Sequence, residues 1–349
     1  MRLALTSLLL AVTFTVSAID LGYSGYAYQT VSQNSNLASS NNRLAINLTA
    51  QSGLWLATSQ LSTHNLGVVQ RAALGRTFLY DEGGMLQVDV GRVNKIPGFS
   101  DSVVDSPASS GMALLPMGIY DPRFINPLNV VDGIKLTYNK SLGDSSFEGM
   151  FAWGKPEMST QKDLQQVLLD STAMVPFIEI VPEYKSWGTM GKLTVANDIT
   201  LFVSHDEYYT HWERLSTGNV LEEMVIAPVA ASMPSLFVNR AGVAFMPTSK
   251  IEVKGEYATT TFSNSAINGA GYYLMADYSF GSGVIGYMGY SQNKSDVEGK
   301  WYNRDTYVGV SKDYQNMFVI LEAHDATGTS FSESRADEAG ILFTVGYRF

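Results

Sequence analysis

Residues 341–349 read ILFTVGYRF and stand at the end of the chain. Every second residue in this stretch is apolar or aromatic, namely Ile341, Phe343, Val345, Tyr347 and Phe349. Successive side chains of a β-strand point to opposite faces of a sheet, so these five residues share one face. The stretch therefore predicts a strand with one strongly apolar face.

The same alternation with a period of two recurs along the chain. In residues 251–257, apolar residues and a glycine alternate with Glu252, Lys254 and Glu256. Such patterns predict sixteen strands, with fourteen or eighteen as alternative counts. We place the strands near residues 20–31, 42–51, 54–63, 67–80, 85–94, 130–140, 146–154, 184–196, 199–209, 235–246, 250–262, 271–280, 283–292, 301–312, 316–325 and 339–349.

The predicted connections fall into two alternating sets. Seven are tight turns, such as Asn197-Asp198, and eight are mostly longer loops, the longest at residues 95–129 and 155–183. Short turns at one end and long loops at the other are typical of outer-membrane barrels, whereas a soluble sandwich has no reason to alternate in this way. We therefore expect an all-β fold, a transmembrane antiparallel β-barrel of about 16 strands.

The beginning of the chain is typical of an export signal. Arg2 supplies a positive charge, residues 3–12 are apolar apart from Thr6 and Ser7, and residues 16–18 provide small side chains for a signal peptidase. We expect residues 1–18 to be a signal peptide and residues 19–349 to form the barrel. The mature chain would then carry a formal charge of −10 − 1 = −11, and its expected location is the outer membrane of a Gram-negative bacterium.

The composition argues against several other kinds of site. The chain has no cysteine, so disulfides and thiolate metal sites are excluded, and its net charge of −10 argues against a nucleic-acid partner. The four histidines lack metal-ligand spacing, and we expect no metal and no cofactor. The pairs His205-Asp206 and His324-Asp325 leave a hydrolase site open. No serine lies in a recognisable nucleophile context, so we expect no catalytic residues and no enzyme.

Several segments resemble the Gram-negative outer-membrane porin superfamily, which includes general-diffusion and phosphate-selective porins. They are residues 86–92, LQVDVGR, followed by a long third external loop, and residues 246–257, MPTSKIEVKGEY. The stretch at 341–349 also resembles the closing strand that bacterial outer-membrane proteins use as an assembly signal. In organisation, the resemblance covers nearly the whole chain after residue 18.

In this family the third loop folds inward and narrows the pore, with acidic groups on the loop opposite basic groups on the wall. For this sequence the resemblance implies an inward-folded loop at about residues 95–129, with the acidic candidates Asp101, Asp105 and Asp121. The basic wall candidates are Arg43, Arg71, Arg92 and Lys135. Opposed charges of this kind would orient polar solutes in a water-filled constriction. The sequence lacks the PEFGG loop tip of the enteric porins, and Arg92 shares its parity with apolar Val90.

The expected function is passive diffusion of small hydrophilic solutes and ions through a water-filled channel. Acidic groups near the outer mouth favour a weak preference for cations. The resemblance implies a homotrimer in contact with outer-membrane lipid and lipopolysaccharide. Two alternatives stay open: an adhesin or structural anchor, whose lumen residues 95–129 would close, and a barrel hydrolase.

Overall fold

The computed structural model describes residues 19–33, 41–62, 69–81, 83–95, 98–99, 110, 112–113, 116, 119, 130–156, 183–211, 235–263, 268–295, 302–329 and 338–349. No helix in these ranges is long and apolar enough to cross a membrane.

The described residues form sixteen β-strands. In chain order they are β1 (Asp20–Ser32), β2 (Asn41–Ser52), β3 (Trp55–Ser62), β4 (Val69–Asp81), β5 (Gly84–Asn94), β6 (Val130–Leu142), β7 (Ser145–Pro156), β8 (Glu183–Val195), β9 (Ile199–His211), β10 (Leu236–Thr248), β11 (Ile251–Phe262), β12 (Gly269–Gly281), β13 (Val284–Ser295), β14 (Tyr302–Tyr314), β15 (Met317–Thr329) and β16 (Glu338–Arg348). Every predicted strand is present, with ends that differ from the prediction by a few residues at most.

The strands form one closed antiparallel barrel in which each strand pairs with its neighbours in sequence. The closure joins β1 to β16, where Tyr26 lies opposite Arg348 and Ser32 opposite Leu342. At the end of this seam the backbones of Gly25 and Phe349 exchange two hydrogen bonds, of 2.8 and 3.0 Å. Closure satisfies the backbone polar groups that an open sheet edge would leave unpaired. The predicted barrel is therefore confirmed.

The two faces of the wall differ sharply in polarity. Side chains that point outward are mostly apolar, and Val203, Leu274 and Met288 each expose about 60% of their surface, at 63%, 59% and 62%. Side chains of the opposite parity point inward and include the buried carboxylates Glu256 and Glu322. An apolar exterior around a polar interior is the arrangement of a barrel that crosses a membrane.

The tight turns lie where the sequence predicts them. Between β12 and β13, Gly281, Ser282 and Gly283 have φ angles of 87°, 52° and 74°. Glycine adopts this left-handed region without steric cost, so the chain reverses within three residues. At the opposite end of the barrel, the segments that join the strands lie largely outside the described residues.

Candidate pore and its charged lining

The lumen-facing positions of the strands carry charges of both signs, which are distributed unevenly. On β2 to β8 the described lumen-facing charges sum to 4 − 2 = +2, from Arg43, Arg71, Lys135 and Lys192 against Asp89 and Glu148. On β9 to β15 they sum to 2 − 7 = −5, from Arg240 and Lys254 against Asp206, Glu252, Glu256, Asp277, Asp305, Asp313 and Glu322. A basic half of the wall therefore faces an acidic half.

Three of the predicted basic wall residues lie on the lumen side of the basic half. Arg43 is buried; its Nε donates a hydrogen bond of 2.9 Å to Ser62 Oγ, and its guanidinium lies 5.8 Å from the centre of the Tyr26 ring. Arg71 on β4 and Lys135 on β6 are partly buried and have lumen parity. The alternation of the strands thus gives all three side chains lumen parity, and their role in a constriction stays a prediction.

Arg92 lies elsewhere. It forms a bidentate ion pair with Asp132, with distances of 2.9 and 3.1 Å, and the next pair along the same face is Val90 with the exposed Ile134. The register on both sides of Gly91 is unbroken, so no bulge turns Arg92 toward the lumen. Arg92 therefore belongs to the outer face, and the prediction that it lines the pore is not supported by its position.

Residues that follow β5 contact the far, acidic half of the wall. Lys95 Nζ lies 3.1 Å from Asp206 Oδ1 on β9 and 3.6 Å from the centre of the Tyr208 ring. Both charged side chains are almost fully buried. Burial lowers the pKa of Lys95 to about 8, and the nearby Asp206 carboxylate acts in the opposite direction.

Phe99 continues along the same half of the wall. Its backbone N–H donates a hydrogen bond of 2.8 Å to Glu256 Oε1 on β11, and the Tyr273 hydroxyl donates one of 2.8 Å to the same oxygen. The Phe99 ring packs edge-on against Phe202, with 4.8 Å between the ring centres. The segment is therefore held here by one backbone hydrogen bond and one aromatic contact.

Ala113 reaches a third strand of the acidic half. Its backbone N–H donates a hydrogen bond of 3.0 Å to Glu322 Oε2 on β15. Met112 and Ile119 are buried in one apolar cluster that also contains the lumen-facing Tyr26. The described residues of segment 95–129 thus contact lumen-facing side chains on β9, β11 and β15. The acidic candidates Asp101, Asp105 and Asp121 lie outside the described residues.

Of the comparisons with known proteins, only the one with solved structures finds matches. No protein-family model matches the sequence, and no curated protein matches it either. Among solved structures, the anion-selective porin from Comamonas acidovorans matches with a TM-score of 0.61 at 10% identity, covering 95% of this chain and 100% of that one. The chain has the porin fold. The outer membrane channel DcaP of Acinetobacter baumannii matches at 0.57 and 10% identity, with 96% and 99% covered. OmpF of Salmonella typhi, in complex with daunomycin, matches at 0.55 and 13% identity, with 95% and 97% covered.

Within this porin fold, the histidine pairs noticed in the sequence separate. His205 points outward, and its Nδ1 lies 2.7 Å from Asn239 Oδ1, whereas Asp206 points inward. His324 points inward and is buried, whereas Asp325 is exposed on the other face. Adjacent residues of a strand lie on opposite faces, so neither pair forms a single site.

The porin fold also brings together residues that sequence reasoning did not connect. His324 contacts Asp305, with 2.9 Å between Nδ1 and Oδ2, and also contacts Glu322 through Nε2. Glu322 in turn accepts a hydrogen bond from the Tyr287 hydroxyl. The alternation places Glu322 in the lumen, but contacts between strands depend on the register, which the sequence pattern does not give. Among the described residues, no cluster of His, Asp or Glu has a metal-binding arrangement.

Proposed function

We propose that this protein is an outer-membrane porin that passes small hydrophilic solutes and ions by passive diffusion. The observation that carries the proposal is a closed barrel of sixteen strands whose inner face is charged and whose outer face is apolar. A barrel of this size is too wide for wall side chains alone to fill. The proposed location is the outer membrane of a Gram-negative bacterium.

We place the narrowest part of the pore between segment 95–129 and the basic half of the wall. The contacts of Lys95, Phe99 and Ala113 support a segment that lies against the acidic half. Asp101, Asp105 and Asp121 are the proposed acidic groups of the segment, and Arg43, Arg71 and Lys135 are the proposed basic groups opposite. Charges opposed across a narrow aqueous gap would orient dipolar solutes as they pass.

The proposed ion preference is weak and for cations. The lumen contributes little, because the described charges on β2 to β15 come to only 2 − 5 + 1 = −2 once Lys95 is added. The preference is therefore ascribed to the net charge of −10 − 1 = −11 expected for residues 19–349, through acidic groups near the outer mouth. The reversal potential in a potassium chloride gradient measures it, and a preference for chloride would refute it.

The proposed assembly is a homotrimer without enzymatic activity. A trimer form of OmpT, an outer membrane protein of Vibrio cholerae, is among the solved structures that resemble this chain, with a TM-score of 0.56 at 12% identity over 95% of this chain and 99% of that one. The outward-facing apolar side chains would contact membrane lipid and neighbouring copies. Light scattering of the detergent-solubilised protein would give the number of copies.

Solute uptake tests the proposed function directly. Liposomes that contain the purified protein should swell in isotonic solutions of small neutral sugars, at rates that fall as the sugar becomes larger. Liposomes without protein provide the control. If a correctly folded barrel gives no swelling with any sugar, the diffusion pore is refuted, and an adhesin or structural anchor becomes the better account.

A further inference from the structure

Two buried glutamates of the acidic half accept hydrogen bonds from the same two kinds of donor. Glu256 on β11 accepts hydrogen bonds from the Tyr273 hydroxyl and from the backbone N–H of Phe99. Glu322 on β15 accepts them from the Tyr287 hydroxyl and from the backbone N–H of Ala113. In each case a wall tyrosine and a backbone amide of segment 95–129 share one carboxylate.

The two amide donors stabilise carboxylates that are buried away from water. Glu322 is 1% exposed, and Glu256 is 3% exposed. A buried carboxylate is strongly destabilising unless donors replace the water that it has lost. Segment 95–129 supplies one donor to each carboxylate, the N–H of Phe99 to Glu256 and the N–H of Ala113 to Glu322. Moving the segment away would leave each buried carboxylate with one donor fewer, so the carboxylates favour the position in which these hydrogen bonds form. At Phe99 and Ala113 the segment is therefore held through its backbone, in addition to its side-chain contacts with the wall.

Glu322 is itself held in position by residues of two other strands. Tyr287 on β13 reaches Glu322 on β15 across the intervening strand, because Gly309 on β14 lies opposite both residues. A methyl group at Gly309 would overlap the Tyr287 ring. The absence of a side chain at this one position thus allows the hydrogen bond between Tyr287 and Glu322.

His324 fixes the other carboxylate oxygen of Glu322. Its two ring nitrogens contact Glu322 Oε1 and Asp305 Oδ2, and all three side chains are at most 1% exposed. A neutral imidazole has one N–H, so two such hydrogen bonds need either an imidazolium between two carboxylates or one protonated carboxyl group. Both forms have a net charge of −1. In either form, His324 prevents Glu322 from turning away from Ala113.

We propose that Glu256 and Glu322 are the binding sites on the barrel wall for the backbone of segment 95–129, and that Tyr287 and His324 are the positioning residues of the second site. These residues would set the width of the pore by fixing the segment against the acidic half. The effect on pore width rests on the proposed function, whereas the effect on the position of the segment does not.

The experiment reports the position of the segment without using conduction. The chain has no cysteine, so Met112→Cys provides a single thiol at a residue that is 5% exposed and adjacent to Ala113. Its rate of modification by a small charged thiol reagent is measured in the parent Met112→Cys protein and after adding His324→Phe. Phenylalanine keeps an aromatic ring beside Tyr307, at 5.7 Å between ring centres in the parent, but removes both ring nitrogens and their hydrogen bonds.

We expect His324→Phe to raise the modification rate by about tenfold or more, as loss of a hydrogen bond to a charged group would. Tyr287→Phe removes a single hydroxyl and should act in the same direction. Asp325→Asn, on the outer face of the same strand, should leave the rate unchanged. The far-ultraviolet circular dichroism spectrum shows which variants are folded.

Two outcomes would overturn the proposal. One is an unchanged modification rate in both folded variants, because a ring that only fills space would be replaced adequately by phenylalanine. The other is rapid modification in the parent Met112→Cys protein. A barrel that conducts normally but shows no change in rate refutes only this proposal. A barrel that never conducts but shows the expected rates refutes only the diffusion pore.

Discussion

Gly309 illustrates how one residue can control a contact between strands that are not neighbours. Ala in its place would push the Tyr287 ring away from Glu322. We expect Gly309→Ala to lower the free energy of unfolding by about 1–3 kcal/mol, because a buried carboxylate loses a hydrogen-bond donor. Urea unfolding of the protein in phospholipid vesicles would measure the change.

Gly191 provides the matched control, since it is also a strand glycine. A methyl group there would lie 3.9 Å from the Phe147 ring, which is ordinary van der Waals contact. Gly191→Ala should therefore change stability little. Equal losses in the two variants would mean that strand glycines matter here for a general reason and not for the contact between Tyr287 and Glu322.

Lys95 gives a pH dependence that can be stated with its sign. Its pKa is about 8 in the folded protein, against an ordinary value of 10.5. Between these values the unfolded chain binds more protons at this residue, so the contribution of Lys95 to stability should increase as pH rises through this window. The free energy of unfolding should therefore rise more in the wild type than in Lys95→Met between pH 8 and about 10. If the free energy of unfolding changed equally with pH in the wild type and in Lys95→Met, this prediction would be wrong.

At the level of the strands, arginine should lower the free energy of unfolding much more on the outer face of the barrel than on the lumen face. Leu274 lies near the middle of β12 and points outward, with 59% of its surface exposed. Leu274→Arg should cost about 2–4 kcal/mol, the cost of arginine at the middle of the bilayer. Thr137→Arg, on the lumen face near the middle of β6, should cost much less. Similar losses of folding free energy in vesicles would contradict an outer face in lipid.

The strands also show what alternation can and cannot predict. Sixteen strands, their faces and their tight turns follow from local pattern, because a period of two is a property of consecutive residues. The contacts that shape the candidate pore join residues that are 157 apart, as for Phe99 and Glu256, or 209 apart, as for Ala113 and Glu322. No local pattern encodes them.

Arg92 and His324 show the same limit in single residues. The parity of Arg92 with Val90 indicated the outer face, but the resemblance to porins indicated the lumen, and the unbroken register favours the parity. His324 was considered with its sequence neighbour Asp325, although its partners are Asp305 and Glu322 on the lumen side. In both cases the strand face decides the partners.

For the whole molecule, the separation of charge between the two halves of the wall predicts how selectivity responds to mutation. Replacing Arg71 and Lys135 with Gln removes two positive charges from the basic half. The permeability ratio of potassium to chloride should rise by a factor of about two to five, since one charge pair about 4 Å apart in water is worth about 1 kcal/mol. Lys185→Gln, on the outer face of β8, should leave the ratio unchanged. A rise of similar size in that control would contradict a role for the basic half.

The most direct test of the account as a whole is the single-channel conductance of the purified protein in a planar lipid bilayer. A diffusion pore predicts stepwise increases in current at low voltage, and a trimer predicts that they close in groups of three. A folded barrel that inserts without any current steps would contradict the account, because its lumen would then be closed to ions.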